Sequence, residues 1–260
     1  MLWLDPVPTE QDIGKAYHAY YTHPDSGRQQ PRPVLWLLSR LADAYLRRRL
    51  GYVRAVGPAW NVLLGPLASA VFKLLPGGCD TVEAIACHLP APRPGARLLE
   101  VGFGSGDRLA RMVALGWNAE GVDFDPVSVD AARARGLQVS CGDLASRAFP
   151  DEHFDAVYLS HLIEHVHDPA ALLAECYRVL RPAGAIVIAT PNTASWLHDV
   201  FGADWMALDP PRHLVLFSAA SLRKTVEQAG FVVCELRTSA RISAIVWGAS
   251  VEIRRFGRVV

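Results

Sequence analysis

The sequence predicts an α/β fold in which a parallel sheet is covered by helices on both faces. Three observations carry this. From residue 80 onward, short apolar runs alternate with stretches of helical period, as strands buried between two helical layers require. One such run, Leu98-Leu99-Glu100-Val101, ends in glycines at 102, 104 and 106, where a chain without Cβ atoms can turn sharply and bring bare N–H groups to a ligand. About twenty residues further on, Gly121-Val122 ends in Asp123, a carboxylate placed to grip a ribose diol. Together they describe a Rossmann-like, doubly wound sheet built around an adenosine-containing cofactor.

In chain order, a strand at 97–101 leads through the glycines into a helix from Asp107. A strand at 118–123 precedes a helix opened by Pro126 and closed by Gly136, the usual Pro-first, Gly-last asymmetry. A short strand at 137–140 and a nearly all-apolar strand at 154–160 follow. A helix over 169–180 stops before Arg181-Pro182-Ala183-Gly184, and the next strand, 185–190, ends at Thr190-Pro191-Asn192. Ser218 caps a helix running to Gly230, a strand is expected at 231–238, and 242–248 reads as a last antiparallel strand.

Ahead of this domain, assigned to 79–250, residues 1–78 read as a helical extension, and 251–260 as a tail. Thr9 with Asp12 forms a capping-box start for a helix bearing Tyr17, Tyr20 and Tyr21. Leu35, Leu38, Leu41, Tyr45 and Leu46 set a helical period over 34–50. A third helix, 60–75, is interrupted at Gly65-Pro66. Between 32 and 73 there are seven basic residues and one acid. A solvated basic face on a helical cap explains this; peripheral contact with an anionic membrane is the sharper expectation.

Composition excludes several classes. Formal net charge is zero, so no nucleic-acid partner is expected. The five cysteines are scattered and form no CxxC, which argues for a reducing compartment and against a cysteine metal site. No secretion signal or membrane-spanning run is seen, and a cytoplasmic location is expected.

The glycines are spaced G-x-G-x-G, with Asp107 where the dinucleotide pattern has its third glycine. This favours S-adenosylmethionine over NAD. Asp143, after the third strand, is placed to accept from an adenine amino group, with Phe124 or Leu144 flanking the ring.

Several motifs in this order resemble the class I S-adenosylmethionine-dependent methyltransferases. They are Leu99-Glu100-Val101-Gly102-Phe103-Gly104-Ser105-Gly106, Gly121-Val122-Asp123, Gly142-Asp143, Phe154-Asp155-Ala156-Val157, Glu164-His165-Val166, Arg178-Val179-Leu180-Arg181-Pro182-Ala183-Gly184 and Thr190-Pro191-Asn192. The likeness spans about 95–240 and implies seven strands in the order 3-2-1-4-5-7-6. It also implies donor binding by Glu100, Gly102, Gly104, Gly106, Asp123 and Asp143. Ala183 departs from the family's usual Pro-Gly-Gly turn, a change that a negative φ would accommodate. The start of the chain is similar to a segment of some bacterial members in which a tyrosine-bearing helix covers the donor.

His161-Leu162-Ile163-Glu164-His165 spells H-x-x-E-H, a zinc-peptidase string when taken alone. Its place directly after a buried strand argues against that chemistry. Some methyltransferases carry a similar E-x-x-E-H that holds a divalent metal, and the corresponding set here is His161, Glu164, His165 and His213. The plainer expectation is no metal, with Glu164-His165 closing the loop. His161, and after it His213, are the candidates for a general base that deprotonates an oxygen acceptor. His153, His167 and His198 read as loop residues. Trp196, Phe201, Trp205 and Met206 suit either an acceptor pocket or the underside of a lid. The function expected is methylation, on oxygen, of a small molecule or sugar-containing intermediate. A non-catalytic donor-binding module, an NAD-dependent oxidoreductase and an RNA methyltransferase are the alternatives; oligomeric state is left open.

Overall fold

The structure, a computed structural model, describes residues 1–9, 12, 33–53 and 61–259. Five parallel strands form the central sheet: β2 (Arg97–Val101), β3 (Asn118–Asp123), β4 (Gln138–Cys141), β5 (Phe154–Ser160) and β6 (Leu180–Ala189), in the spatial order β4-β3-β2-β5-β6. This is the expected order for the first five strands, 3-2-1-4-5. A two-residue strand β1 (Leu2–Trp3) pairs antiparallel with β7 (Val215–Leu216).

Nine α-helices are described. α1 (Pro33–Leu50), α2 (Asn61–Leu74) and α3 (Gly78–Glu83) precede the sheet; α4 (Asp107–Ala114), α5 (Pro126–Ala134) and α6 (Pro169–Val179) are its crossovers. α7 (Trp196–Phe201), α8 (Ala219–Gln228) and α9 (Ser243–Phe256) follow. The caps are those the residue types dictate. Asp125 accepts from Val127 and Ser128 N–H at the start of α5, Asp168 from Ala171 N–H at α6, and Ser218 forms a capping box with Ser221 at α8, each satisfying donors that the first helical turn cannot. Thr9 and Asp12 do form their capping pair, Thr9 Oγ1 donating to Asp12 Oδ2 at 2.8 Å; the helix expected to carry Tyr17, Tyr20 and Tyr21 lies outside the described residues.

Two cores flank the sheet. On one side Leu41, Tyr45 and Leu46 of α1 and Ala68 and Phe72 of α2 join Leu98, Ala119, Ala156 and Tyr158 from the strands. The helical extension therefore shares the sheet's own core. On the other side Leu99, Val122, Val157 and Leu159 pack with Leu173, Val179, Phe217 and Val226.

Three expectations are corrected. Residues 242–248 are not a strand but the start of α9, which continues through the supposed tail to Phe256. Here the helical period wins: Val246 and Ser250 are buried four residues apart, and Ser250 Oγ donates to Val246 O at 2.7 Å while accepting from Met206 N–H at 2.9 Å. Residues 231–238 have no regular secondary structure and belong to no sheet. In the order 7-6 this segment needs a neighbour between itself and β6, and the residues expected there are helical. Side-chain bonds anchor it instead, Arg237 Nη2 donating to Glu83 Oε2 at 2.9 Å.

Ala183 has φ of 63°, not the negative value that would suit alanine. It sits in the irregular start of β6, where the register with β5 shifts between Phe154 and Ala156. A left-handed alanine costs roughly 1–2 kcal/mol; replacing it by glycine relieves that strain, less the entropy gained by the unfolded chain. Ala183→Gly is expected to stabilise the fold by about 1 kcal/mol, a rise of about 2–4 °C in Tm by calorimetry.

Candidate active site

A cleft of about 2610 Å³ runs along the open edge of β6 to the carboxyl ends of the strands, and its walls include Gly102, Gly104, Asp123, Phe124, His161, His165 and His213. Ligands of open α/β sheets bind at these carboxyl ends.

On its donor side, Gly102, Gly104 and Gly106 have φ of 73°, 56° and 71°, a region that side chains resist. A Cβ on Gly102 would lie 2.9 Å from Leu162 Cδ1, whereas one on Gly104 would meet nothing within 4 Å. Gly104 thus leaves room over the loop for a ligand. Gly106 instead lets α4 start close to Leu137 and Ala132. Asp123, 6% exposed, ends β3; its Oδ2 accepts from Gly104 N–H at 2.8 Å and its Oδ1 from Asp125 N–H at 3.0 Å. Burial raises its pKa, against the pull of these N–H groups. Phe124 stands exposed beside it. Asp143 is exposed next to the loop and accepts from Ser146 N–H at 2.6 Å. Leu144 faces inward and packs in the core with Val122 and Ile163.

Glu100, 1% exposed, lies beneath the glycine loop. Its Oε1 accepts from Arg108 Nη1 at 3.2 Å, and its Oε2 has no hydrogen-bond partner among the described residues. Arg108 also lies over the Tyr158 ring, 4.9 Å from its centroid. Burial pushes the Glu100 carboxyl up to about 7, although Arg108 pulls it down. The stability this group contributes is full below its ordinary pKa and is lost as pH rises through about 7. Glu100→Gln should remove a slope of about 2–3 kcal/mol across that window, read from denaturant unfolding at about pH 5 and about pH 8.

On the acceptor side, His161 follows β5 with φ of 51°, its N–H donating to Ala189 O at 2.8 Å. This conformation, uncommon for a side-chain-bearing residue, keeps the ring at the cleft, with Nδ1 3.3 Å from Glu164 Oε1. Glu164 is fully buried, and its Oε2 accepts from Thr190 Oγ1 at 2.9 Å. Burial would raise its pKa, but His161, His165 and His213 together bring it below the ordinary value. Burial, foremost, lowers the pKa of His165 and favours the neutral ring.

His165 Nδ1 faces Arg212 O at 3.0 Å and His213 Nδ1 faces Ala207 O at 2.7 Å. A carbonyl only accepts, so each ring carries a proton on Nδ1. One ligand atom from each of Glu164, His165 and His213 lies within 4.8 Å of the others. The donor set, two imidazoles and a carboxylate with oriented outer partners, fits a transition-metal ion. His161 touches this group through Glu164.

The aromatic residues divide between the two expected roles. Phe201 and Trp205 are 4% exposed and pack with Val246, whereas Trp196, 66% exposed, and Met206, 36% exposed, face the cleft. Trp205 also reaches the cleft wall, and its indole Nε1 is buried with no partner among the described residues. His153 stacks on Phe149 and His167 bonds Pro8 O, as loop residues do; His198, expected in a loop, lies in α7, where its ring bonds Thr193 O.

Sequence reasoning missed Thr190, Arg108 and Leu162. Thr190 stood in a recognised motif, but nothing local pairs it with a glutamate 26 residues away.

Residues 78–236 match the methyltransferase domain family, and the chain belongs to that family. An S-adenosylmethionine-dependent methyltransferase of Mycolicibacterium smegmatis is 35% identical over 141 residues, covering 54% of this chain and 53% of the relative. The chain thus spans about half the length of that curated relative. The ubiquinone biosynthesis O-methyltransferase of Thiobacillus denitrificans is 31% identical over 161 residues, covering 56% of this chain and 68% of the relative. Among solved structures, the complex between the Haloferax volcanii Trm112 methyltransferase activator and a methyltransferase matches at 25% identity and a TM-score of 0.53, over 61% of this chain and 71% of that one.

Proposed function

We propose that this protein is an S-adenosylmethionine-dependent methyltransferase acting on an oxygen of a small molecule. The observation that carries this reading is one cleft holding both halves of the chemistry: the glycine loop with Asp123 on one wall, the buried Glu164 with its histidines on the other. The relatives' names, S-adenosylmethionine-dependent methyltransferase and O-methyltransferase, support it.

When bound, the donor supplies an electrophilic methyl group on sulfur. Asp123 accepts from the ribose hydroxyls, the backbone N–H groups around Gly104 meet the amino-acid end, and the unpartnered Glu100 Oε2 lies behind them to accept a further donor. Phe124 offers a ring face to the adenine, and Asp143 an acceptor at its edge. These contacts align the donor, and alignment is most of what an in-line displacement with a neutral leaving group needs. His161 takes the acceptor's proton while Glu164 holds the imidazole in place. His213 is the second candidate base.

Calorimetric titration tests the donor half directly: S-adenosylmethionine binds and NAD does not. Binding of NAD alone would establish the oxidoreductase alternative. Tight donor binding without turnover on any hydroxylated acceptor would mark a non-catalytic module.

A second reading, that Glu164, His165 and His213 hold a divalent ion, is favoured by their convergence and by the Nδ1 bonds that orient both rings. Metal analysis of the purified protein, with turnover before and after chelation, tests it. No described helix is long and apolar enough to cross a membrane. We place the protein in the cytoplasm, where its five unpaired cysteines are at home.

A further inference from the structure

We infer that His167 is a positioning residue, and that together with residues 2–8 it braces the acceptor half of the cleft. Glu164, His165 and His213 converge there from two segments far apart in sequence. Direct bonds join the two segments. Leu214 and Val215 N–H both donate to Glu164 O, at 2.8 and 3.2 Å, and the His165 ring donates to Arg212 O at 3.0 Å.

A further tie runs through the start of the chain. β1 lies antiparallel to β7, with Leu2 opposite Leu216 and Trp3 opposite Val215. One residue on, Leu4 N–H donates to Leu214 O at 3.0 Å. Leu214 directly follows His213, and its own N–H is the one given to Glu164. Consecutive backbone hydrogen bonds thus join Leu4, Leu214 and Glu164. At the other end, Pro8 O lies 2.9 Å from His167 Nε2. A carbonyl only accepts, so that nitrogen carries a proton. Residues 4–8 therefore span from the strand that follows His213 to the loop that follows His165.

Burial separates this brace from the core. Leu214, Val215 and Leu216 are buried, whereas Leu2 and Trp3 are 44% and 58% exposed. β1 buries little apolar surface and so adds little to stability. Its bonds act on geometry instead: they set where the His213 segment stands against Glu164, and Glu164 in turn faces His161 at 3.3 Å. A shift of about 1 Å in such groups costs about 10²-fold in rate. The effect on turnover rests on the methyl-transfer reading; the bracing itself does not, because it is measured without donor or acceptor.

Variants of the full chain test it. His167→Ala removes the donor to Pro8, and His167→Gln offers an amide N–H in its place. Leu4→Pro removes the N–H given to Leu214, after a strand residue whose conformation a following proline tolerates. His167→Ala and Leu4→Pro should each lower kcat about tenfold to hundredfold, with S-adenosylmethionine affinity and Tm close to wild type. His167→Gln should recover most of the rate. In NMR spectra of the free protein, the ring signals of His165 and His213 should shift in the alanine and proline variants and return in the glutamine variant. If no acceptor is ever methylated, the methyl-transfer reading fails while these signals still judge the brace. If Leu4→Pro does not fold, the two His167 variants decide. Wild-type ring signals in folded His167→Ala would overturn the inference. So would a His167→Gln variant no closer to wild type than His167→Ala, since the ring would then serve packing and not the bond to Pro8.

Discussion

Asp123→Ala is expected to weaken S-adenosylmethionine binding by about 2–4 kcal/mol, roughly thirtyfold to several hundredfold. The carboxylate is 6% exposed and already accepts from the Gly104 and Asp125 N–H groups. Each oxygen keeps further acceptor capacity, and charge-assisted bonds to two ribose hydroxyls would each contribute about 1.5–3 kcal/mol. Alanine removes those bonds and also frees the glycine loop from its tether to β3, so part of the loss is disorder of the loop. Asp123→Asn separates the two effects, because one carbonyl oxygen can still accept from Gly104 N–H. A loss for asparagine clearly smaller than for alanine is the expected calorimetric result. Unchanged affinity in both variants would remove Asp123 from the donor site.

The donor half of the cleft was legible because its requirements are local. Glycines at alternate positions need only their own positive φ values, and Asp123 needs only to end a strand. The inner five strands were legible for a similar reason, since each apolar run is bounded by a cap or a glycine nearby. Leu144 shows where such reasoning stops: an apolar residue after Asp143 suits an adenine face or the core equally well, and only the packing of Val122 and Ile163 against it decides for the core. α9 was misread because β-branched residues at 242–246 suit a strand locally, while the contacts of Ser250 and Val246 with the loop at Met206 exist only in the folded chain. The acceptor half depends most on tertiary structure. His161 and Glu164 are neighbours in sequence, but Thr190 and His213 reach Glu164 from separate loops after the sheet has formed.

That arrangement sets the largest expected effect. His161→Ala should lower kcat by about 10²–10⁴, the usual contribution of a positioned general base, with donor affinity unchanged. Glu164 makes the assignment testable, because it is fully buried and faces the cleft through His161 and Thr190. Glu164→Gln keeps its shape and an acceptor for Thr190 Oγ1 but removes the charge that faces His161. If the pair acts as a unit, Glu164→Gln should lower kcat by about 10²-fold or more, and the double variant should be little worse than His161→Ala alone, since groups that work together are not additive. Full additivity would mean that Glu164 serves the reaction by another route. The divalent-ion reading supplies one, and it predicts the opposite pattern: His213→Ala would then cost bound metal and activity together, while His161→Ala would leave the metal content intact. Turnover and metal content measured on these four variants distinguish a base held by a carboxylate from a carboxylate that holds an ion.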